Sequence, residues 1–551
     1  MSSDDEYSVP LMASKKLWGI MAISVLQCLL AARSAESPAP QAVKLFPILE
    51  YRVEGNTVLR AIDIEGAVTP YLGEGKTIKD VEDARVSLEK LYHSRGYQTV
   101  LVNIPQQEVS SGIVRLSVVE APVGQVEVKG SHFHSLQAIN ATVAQLQGGV
   151  VPDFNEVQKE LALVNHGEDL HVTPVLRAST TPGQVDVDLD VQDRLPLHAS
   201  LEVNNRYSAN TSHTRLIGEV DYDNLFQSNQ SLSLQYQVAP EDPSNAKIWS
   251  VSYVIPLRSG LVVALYAVGS DSNIAAVGET DVIGNGNIYG IRLIDPLASG
   301  SASFYHNFTA GFDFKDFKQD VTLEGADDLA SPARYSMYTL QYSATWLGAL
   351  DAVQHAAAAT TGVRNNTTLT AGVNFTVTAL GFDNPDQFDH KRFGASSDFF
   401  IFHAELQRQQ ILPWNWSLVG SINGQLASGP LISNEQYAAG GVDSVRGYTE
   451  AERLGDDGAR ASLELRTPQL LAGHPRFTNS YFYLFVDGAR VKILDPLPAQ
   501  RTGYDLAAEG LGFRFKYDGL LLDLDGARAD SAGYVTRAGS YSAQFRANYT
   551  W

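Results

Sequence analysis

The chain has a single cysteine, Cys28, which lies inside the one sustained apolar run, Leu17–Ala32 (LWGIMAISVLQCLLAA), directly after Lys15 and Lys16. A basic start, an apolar centre and small residues beyond it have the form of a secretory leader, predicted over residues 1–34 with cleavage after Ser34 or Ala35. The run is short for a membrane anchor, which needs about 20 residues, and Gln27 before Cys28 does not suit lipoprotein processing. With the leader removed no cysteine is left, so disulfides and thiol catalysis are excluded together. No later apolar run reaches the roughly 18 residues of a spanning helix. Basic residues are also scarce: 41 Lys and Arg stand against 62 Asp and Glu, a net charge of -21. That balance offers no electrostatic footprint for nucleic acid or for anionic head groups.

Chemical motifs are lacking too. GEGKT at Gly73–Thr77 looks like the end of a phosphate loop, but Pro70 stands where the motif needs glycine, and the stretch reads as a turn into a helix. HFH at His132–His134 has no third ligand nearby and reads as a surface loop. Neither G-x-S-x-G nor H-E-x-x-H occurs, which removes the simplest hydrolases. The expectation is a protein that is not an enzyme, with no catalytic residue, cofactor or metal.

What is present begins with a repeat. Residues 51–122 and 123–196 share one layout at a period near 70 residues. Each opens on a strand and turn, YRVEGNTVL and then GQVEVKGSHFHSL. Two helical stretches follow. The second helix of each copy has a capping-box signal, Thr77-x-x-Asp80 and Asp153-x-x-Glu156. Val81, Ala84, Leu88 and Leu91 recur at helical spacing, and Gly96 provides the stop. Two strands close each copy, giving the order β-α-α-β-β. A three-stranded sheet covered on one face leaves an edge open to another extended chain.

From Leu197 the period changes to two. In SLSLQYQV, Leu232, Leu234, Tyr236 and Val238 alternate with Ser231, Ser233, Gln235 and Gln237. At the end of the chain Tyr541, Ala543, Phe545, Ala547, Tyr549 and Trp551 alternate with polar residues. One face is apolar and the other wet, as in a transmembrane barrel with lipid outside and a polar lumen. Breaks such as SGPLISNEQ and IGNGN separate the strands. Residues 197–551 have room for roughly 16 to 18 strands of about 10 residues, with about 16 expected. A secreted β-sandwich array is the alternative, and the leader and the aromatic terminus weigh against it. A chain without spanning helices crosses lipid only as a closed barrel.

These features resemble a known family, the outer-membrane transporters of two-partner secretion of the haemolysin-secretion type. They belong to the wider superfamily of barrels preceded by polypeptide-transport-associated domains. Residues 70–130 resemble the first such domain and the start of the second. DYDNLFQSNQSLSLQY at 221–236 is similar to the opening barrel hairpin, with Phe226 where glycine is usual. GGVDSVRGYTEAERLGDDG at 440–458 resembles the sixth extracellular loop, which folds into the barrel with Val445, Arg446, Gly447 and Tyr448 at its tip. The resemblance implies that Arg446 pairs with Asp487 of a wall motif, here Phe485-Val486-Asp487-Gly488-Ala489, in which Ala489 replaces a glycine. Phe545, Tyr549 and Trp551 look like the terminal signal of outer-membrane barrels, which implies insertion by barrel-assembly machinery.

The expected organisation is a leader (1–34), a short segment (35–44), small domains at 45–122 and 123–196, and a barrel at 197–551. The implied function is a pore in the bacterial outer membrane that takes an unfolded exoprotein from the periplasm and secretes it without nucleotide hydrolysis. The implied cargo is an adhesin, a cytolysin or a toxin, and the other partner is outer-membrane lipid. A barrel-assembly insertase of the same superfamily and a passive porin are the rivals. Many members of the resembled family thread a helix through the barrel ahead of the first domain. Residues 35–44, AESPAPQAVK, predict none here: the stretch contains Pro38 and Pro40, and ten residues extend at most about 36 Å. The Arg446 loop alone is then expected to occlude the pore.

Overall fold

The computed structural model describes residues 44–348 and 364–551, apart from 110, 166, 168, 210, 244, 258, 272–274, 278, 279, 283, 284, 302, 319, 322–328, 331, 381–384, 473, 475 and 499. The expected leader, and all of the 35–44 segment but Lys44, lie outside the described residues. So does the reading that no helix precedes the first domain. Two compact units result. One runs to Lys129 and includes 140–166 and 172–190, and the other holds 130–139, 167–171 and 191–551.

The first repeat forms strands β1 (Phe46–Ile48), β2 (Glu50–Glu54), β3 (Gly73–Lys76), β4 (Val100–Asn103) and β5 (Ile113–Glu120), with helices α1 (Ala61–Val68) and α2 (Ile78–Ser94). The sheet order is β2-β5-β4, with β2 parallel and β4 antiparallel to the central strand. Ile64 and Val68 of α1 and Leu88 and Tyr92 of α2 bury against Val100, Val102, Leu116 and Val118. Helix α2 starts where expected: the Asp80 carboxylate accepts from the backbone N–H of Thr77 at 2.8 Å and from its hydroxyl at 2.7 Å. Gly96, with φ +100°, lies just past its end. One expectation fails. Gly73–Lys76 is not a turn into the helix but strand β3, paired with β1 through Phe46↔Lys76. Gly73 and Gly75, at φ +135° and +69°, let so short a strand bend straight into the cap at Thr77.

The second repeat forms β6 (Val123–Lys129), α3 (Leu136–Thr142), α4 (Phe154–Val164), β7 (Leu170–Ala178) and β8 (Val185–Asp193), in the sheet order β6-β8-β7. Its capping box is only half formed. Asp153 accepts from the Asn155 N–H at 2.9 Å, but Glu156 turns to Lys159 at 2.6 Å, because an ammonium three residues on competes for its carboxylate.

The repeat persists to single atoms. Gly55 and Gly130 follow the opening strands with φ +92° and +83°, and a Cβ there would sit 2.3 Å from the Val118 oxygen and 2.5 Å from the Val191 oxygen. Glycine is the one residue that fits. An acid at the end of each last strand then collects the N–H groups of the turn. Glu120 accepts from Thr57 at 2.9 Å and Val58 at 3.2 Å. Asp193 accepts from His132, Phe133 and His134 at 3.0, 2.7 and 2.9 Å. Burial opposes the Asp193 charge, yet these backbone bonds hold its carboxyl well below the usual range. The HFH stretch is this turn, and neither histidine joins a cluster of three metal-ligating groups among the described residues.

Sixteen antiparallel strands close the barrel. They are β9 (Leu197–Asn204), β10 (Arg215–Leu225), β11 (Gln230–Val238), β12 (Lys247–Pro256), β13 (Val262–Ser270), β14 (Gly286–Pro296), β15 (Phe304–Phe317), β16 (Ala333–Leu347), β17 (Asn366–Phe375), β18 (Phe400–Ile411), β19 (Ser417–Ala427), β20 (Asp457–Arg466), β21 (Tyr481–Lys492), β22 (Gly503–Tyr517), β23 (Leu520–Ala529) and β24 (Tyr541–Thr550). Along β21 the burial alternates: Tyr483, Phe485, Asp487, Ala489 and Val491 face in, and Phe482, Leu484 and Val486 face out. Leu234 and Tyr236 also face out, as do Phe545 and Tyr549, and Trp551 beyond the last strand is exposed as well. This outer apolar face is the one that lipid covers. The β10–β11 turn shows what the missing glycine costs, since Phe226 and Gln227 both lie at φ +56°. The seam is short: β24 pairs with β9 over five residues, Arg546↔Asn204 to Thr550↔Ser200, whereas β23 and β24 pair over nine.

Candidate functional site

Because β9 follows the small domains and strands alternate in direction, the β19–β20 connection, 428–456, lies at the end opposite the chain's entry. It does not remain outside. Tyr437–Ala439 and Arg453–Gly455 pair as a small hairpin, and the tip beyond them is buried, with Val445 0%, Arg446 6% and Tyr448 3% exposed. Gly440, Gly441 and Gly447 turn the backbone at φ +108°, +109° and +94°. A Cβ on Gly447 would meet that of Ala527 at 3.1 Å, so the small side chain lets the tip lie against the wall.

Arg446 grips Asp487 through its planar fork. Nε lies 2.7 Å from Oδ2 and Nη2 lies 2.8 Å from Oδ1, while the Arg446 backbone N–H adds 3.1 Å to Oδ2. Nη1 donates to Glu464 at 2.6 Å and Nη2 to the Ser462 hydroxyl at 3.3 Å. The guanidinium stacks 3.6 Å above the Phe485 ring. Asp487 is 1% exposed. Burial opposes the Arg446 charge, and the Asp487 bond followed by Glu464 more than offsets it, so the group stays cationic.

The rest of the tip is tied to neighbouring strands. The Tyr448 hydroxyl is within bonding distance of the Ala507 and Ser531 carbonyls, at 2.9 and 2.8 Å. Gln544 of β24 donates to the Tyr448 carbonyl at 3.3 Å, and Glu452 accepts from Val535 and Thr536 at 2.7 and 2.8 Å. Arg206, just past β9, forks onto Asp443 at 2.7 and 3.1 Å. Ala489, where the resemblance implied a glycine, packs with Val445, Tyr448, Leu506 and Ala508. The extra methyl is accommodated because the tip supplies an apolar surface there. Phe545 borders the cavity beside Arg446, whereas Tyr549 and Trp551 are exposed on the outer face.

Glu464, Ser462, Gln544, Arg206 and Glu452 were not singled out from the sequence. Ser462 and Glu464 left one signal, alternation in RASLELR, which puts both on the face opposite Leu463. Registers Ser462↔Asp487 and Glu464↔Phe485 then bring them to Arg446. A second cluster, Asp169, His198 and Asp223, has metal-ligating composition. Its Nε2 of His198 is 2.7 Å from Asp169 Oδ2, the length of a shared proton. Ligands on a tetrahedral metal lie roughly 3.3 Å apart, as bonds of about 2.0–2.1 Å require.

Comparison with known proteins decides the family. The description "POTRA domain, ShlB-type" matches residues 46–121, and "Haemolysin secretion/activation protein ShlB/FhaC/HecB" matches 183–294 and 331–515. The chain belongs to the haemolysin secretion/activation family. It is 20% identical over 491 residues to the heme/hemopexin transporter protein HuxB of Haemophilus influenzae strain 86-028NP, covering 85% of this chain and 81% of that protein. The outer membrane transporter CdiB of Dickeya dadantii strain 3937 is 22% identical over 181 residues, 33% of this chain and 32% of that one. Among solved structures, CdiB from Escherichia coli has a TM-score of 0.65 at 15% identity, covering 96% and 97% of the two chains. BamA from Haemophilus ducreyi, lacking POTRA domains 1–3, has a TM-score of 0.54 at 14% identity, covering 92% and 100%. At these identities the structures share the fold. As a family member, the chain is an outer-membrane secretion transporter with its N-terminal domains in the periplasm.

Proposed function

We propose that this chain is the pore of a two-partner system, that residues 45–122 and 123–196 capture an unfolded exoprotein, and that the 197–551 barrel conducts it outward. A leader over 1–34 would deliver it to the periplasm. Capture would use the exposed sheet edges β2 and β4, or β6 and β7, to add a cargo strand, with side chains beside the edge providing selectivity. The cargo would be a secreted exoprotein, as membership of the haemolysin secretion/activation family supports, and our reading of its class is an adhesin, a cytolysin or a toxin. Release of the Arg446 tip from Asp487 would open the path. The observation that carries this reading is that anchor, a planar cation forked onto a carboxylate buried in the wall of a closed barrel.

The test is export of the cargo by cells carrying Arg446→Ala or Asp487→Ala. Arg446→Ala leaves the Asp487 carboxylate buried with only the Ser462 hydroxyl at 2.6 Å and a backbone N–H, while Asp487→Ala leaves Arg446 with Glu464 and the Ser462 hydroxyl. Removing one member of a buried pair costs up to about 3–5 kcal/mol, and the remaining partners reduce that here. Export is expected to fall at least tenfold while the barrel still shows heat-modifiable migration. Wild-type export from both variants at matched membrane levels would refute the reading. The five-residue seam favours one rival, an insertase that opens laterally between first and last strands. A disulfide between Leu201→Cys and Tyr549→Cys, partners in the seam register, separates the two: it blocks an insertase and leaves a pore exporting.

A further inference from the structure

A second element enters the same end of the barrel. Helix α5 (Pro385–Lys391) and the residues up to Phe399 follow β17 and fold inward, and Phe388 is fully buried. Its ring meets Tyr335 at 5.2 Å and Phe399 at 6.1 Å. Around them lie Ile248, Phe317, Leu431 and Ile432, all 2% exposed or less. These come from the inward faces of β12, β15 and β16 and from the stem of the Arg446 loop. A barrel lumen is ordinarily polar and wet, whereas this patch is apolar and dry.

The element has its own anchor. Arg392 forks onto Asp456, with Nη2 2.7 Å from Oδ2 and Nη1 on Oδ1, and donates to the Leu431 and Leu494 carbonyls at 2.6 and 3.0 Å. Asp456 is 0% exposed and also accepts from the N–H groups of Leu431 and Leu494 at 2.9 and 2.7 Å. Beside it Glu435 takes Lys315 at 2.6 Å and the Tyr335 hydroxyl. All of these contacts to the Arg446 loop are to its stem, and none is to the tip between Gly440 and Glu452.

We propose that residues 385–399 are a second gate of the pore, held shut by Arg392 on Asp456 and able to close its part of the lumen whether or not Arg446 is released. The apolar seal excludes water and ions, and the fork fixes its position as Asp487 fixes the tip. Opening for cargo then requires both forks to be broken. This rests on the secretion-pore reading, so its first test does not depend on cargo.

That test is conductance of the full-length protein in planar bilayers, with heat-modifiable migration as the folding control. Arg392→Ala leaves Asp456 its backbone donors, so the barrel should assemble while the open-to-closed ratio rises about tenfold or more. Phe388→Ala should act in the same direction. Combining Arg392→Ala with Arg446→Ala should raise conductance beyond either change alone. Folded Arg392→Ala and Phe388→Ala proteins with wild-type conductance would overturn the gate, as would an effect of Arg392→Ala seen only when Arg446 is also replaced. The second test locks the element. Gln387 accepts from the Arg334 backbone N–H at 3.1 Å, so Gln387→Cys with Arg334→Cys, in a Cys28→Ser background and joined by a flexible linker attached through disulfides, should stop export when linked and restore it on reduction. Undiminished export by the linked pair would overturn the proposal. If the secretion reading itself fails, the unlocked protein exports nothing and the conductance result still stands.

Discussion

Single positions in this chain are read best through the conformation they must adopt. Phe226 stands where the resemblance implied a glycine, and its φ of +56° at 76% exposure shows a bulky residue in a left-handed turn with little burial in return. That conformation costs roughly 1–2 kcal/mol for a residue with a Cβ. Phe226→Gly is therefore expected to stabilise the barrel in detergent by about 0.5–1 kcal/mol, after the extra freedom glycine gains in the unfolded chain. A raised urea midpoint is the readout, and a lowered one would mean that the exposed ring makes contacts worth more than the strain. Ala489 is the opposite case, because its methyl finds an apolar partner surface at Val445 and Tyr448. Arg446 differs again, since its identity matters more than its charge: a lysine has no planar fork to span both Asp487 oxygens while also reaching Glu464.

At the scale of elements, local chemistry and cross-strand register divide the work. The α2 cap at Thr77 and Asp80 is contained in four residues and could be read from them. The caps of the opening turns by Glu120 and Asp193 span 62 and 59 residues in sequence, and only the folded sheet brings those acids under their turns. The last strand shows how pairing converts sequence into closure. All five seam pairs fall between Arg546 and Thr550. Removing Phe545–Trp551 deletes every one of them, leaving β9 and the shortened β24 as open edges, which lipid does not tolerate. The truncated protein is expected to stay in the periplasm and be degraded. Normal heat-modifiable migration in the membrane fraction would contradict this.

For the molecule as a whole, the lumen carries two forks, Arg446 on Asp487 and Arg392 on Asp456, where the sequence suggested one occluding loop. Deletions discriminate between them. Removing Asp443–Glu452 takes away the tip and leaves Asp456, so single-channel conductance should rise in part. Removing Asp443–Asp457 takes Asp456 as well and should raise it further. Equal conductance for the two deletions would mean that the tip alone sets the pore.

The period-two pattern from Leu197, the near-70-residue repeat, the lack of spanning helices and the V-R-G-Y tetrad were all in the sequence. They determine a barrel behind small domains because alternation and repetition are local properties of a chain, read from neighbours a few residues apart. Which polar residues meet inside depends on the folded barrel. Asp456 lies 64 residues from Arg392 and Glu464 lies 18 from Arg446. Phe388 is far in sequence from Phe317 and Tyr335, which it helps to bury. Strand register and the inward folding of two loops create those meetings. Neither leaves a local signature, because an arginine bound for a buried carboxylate has the same neighbours in sequence as one bound for solvent.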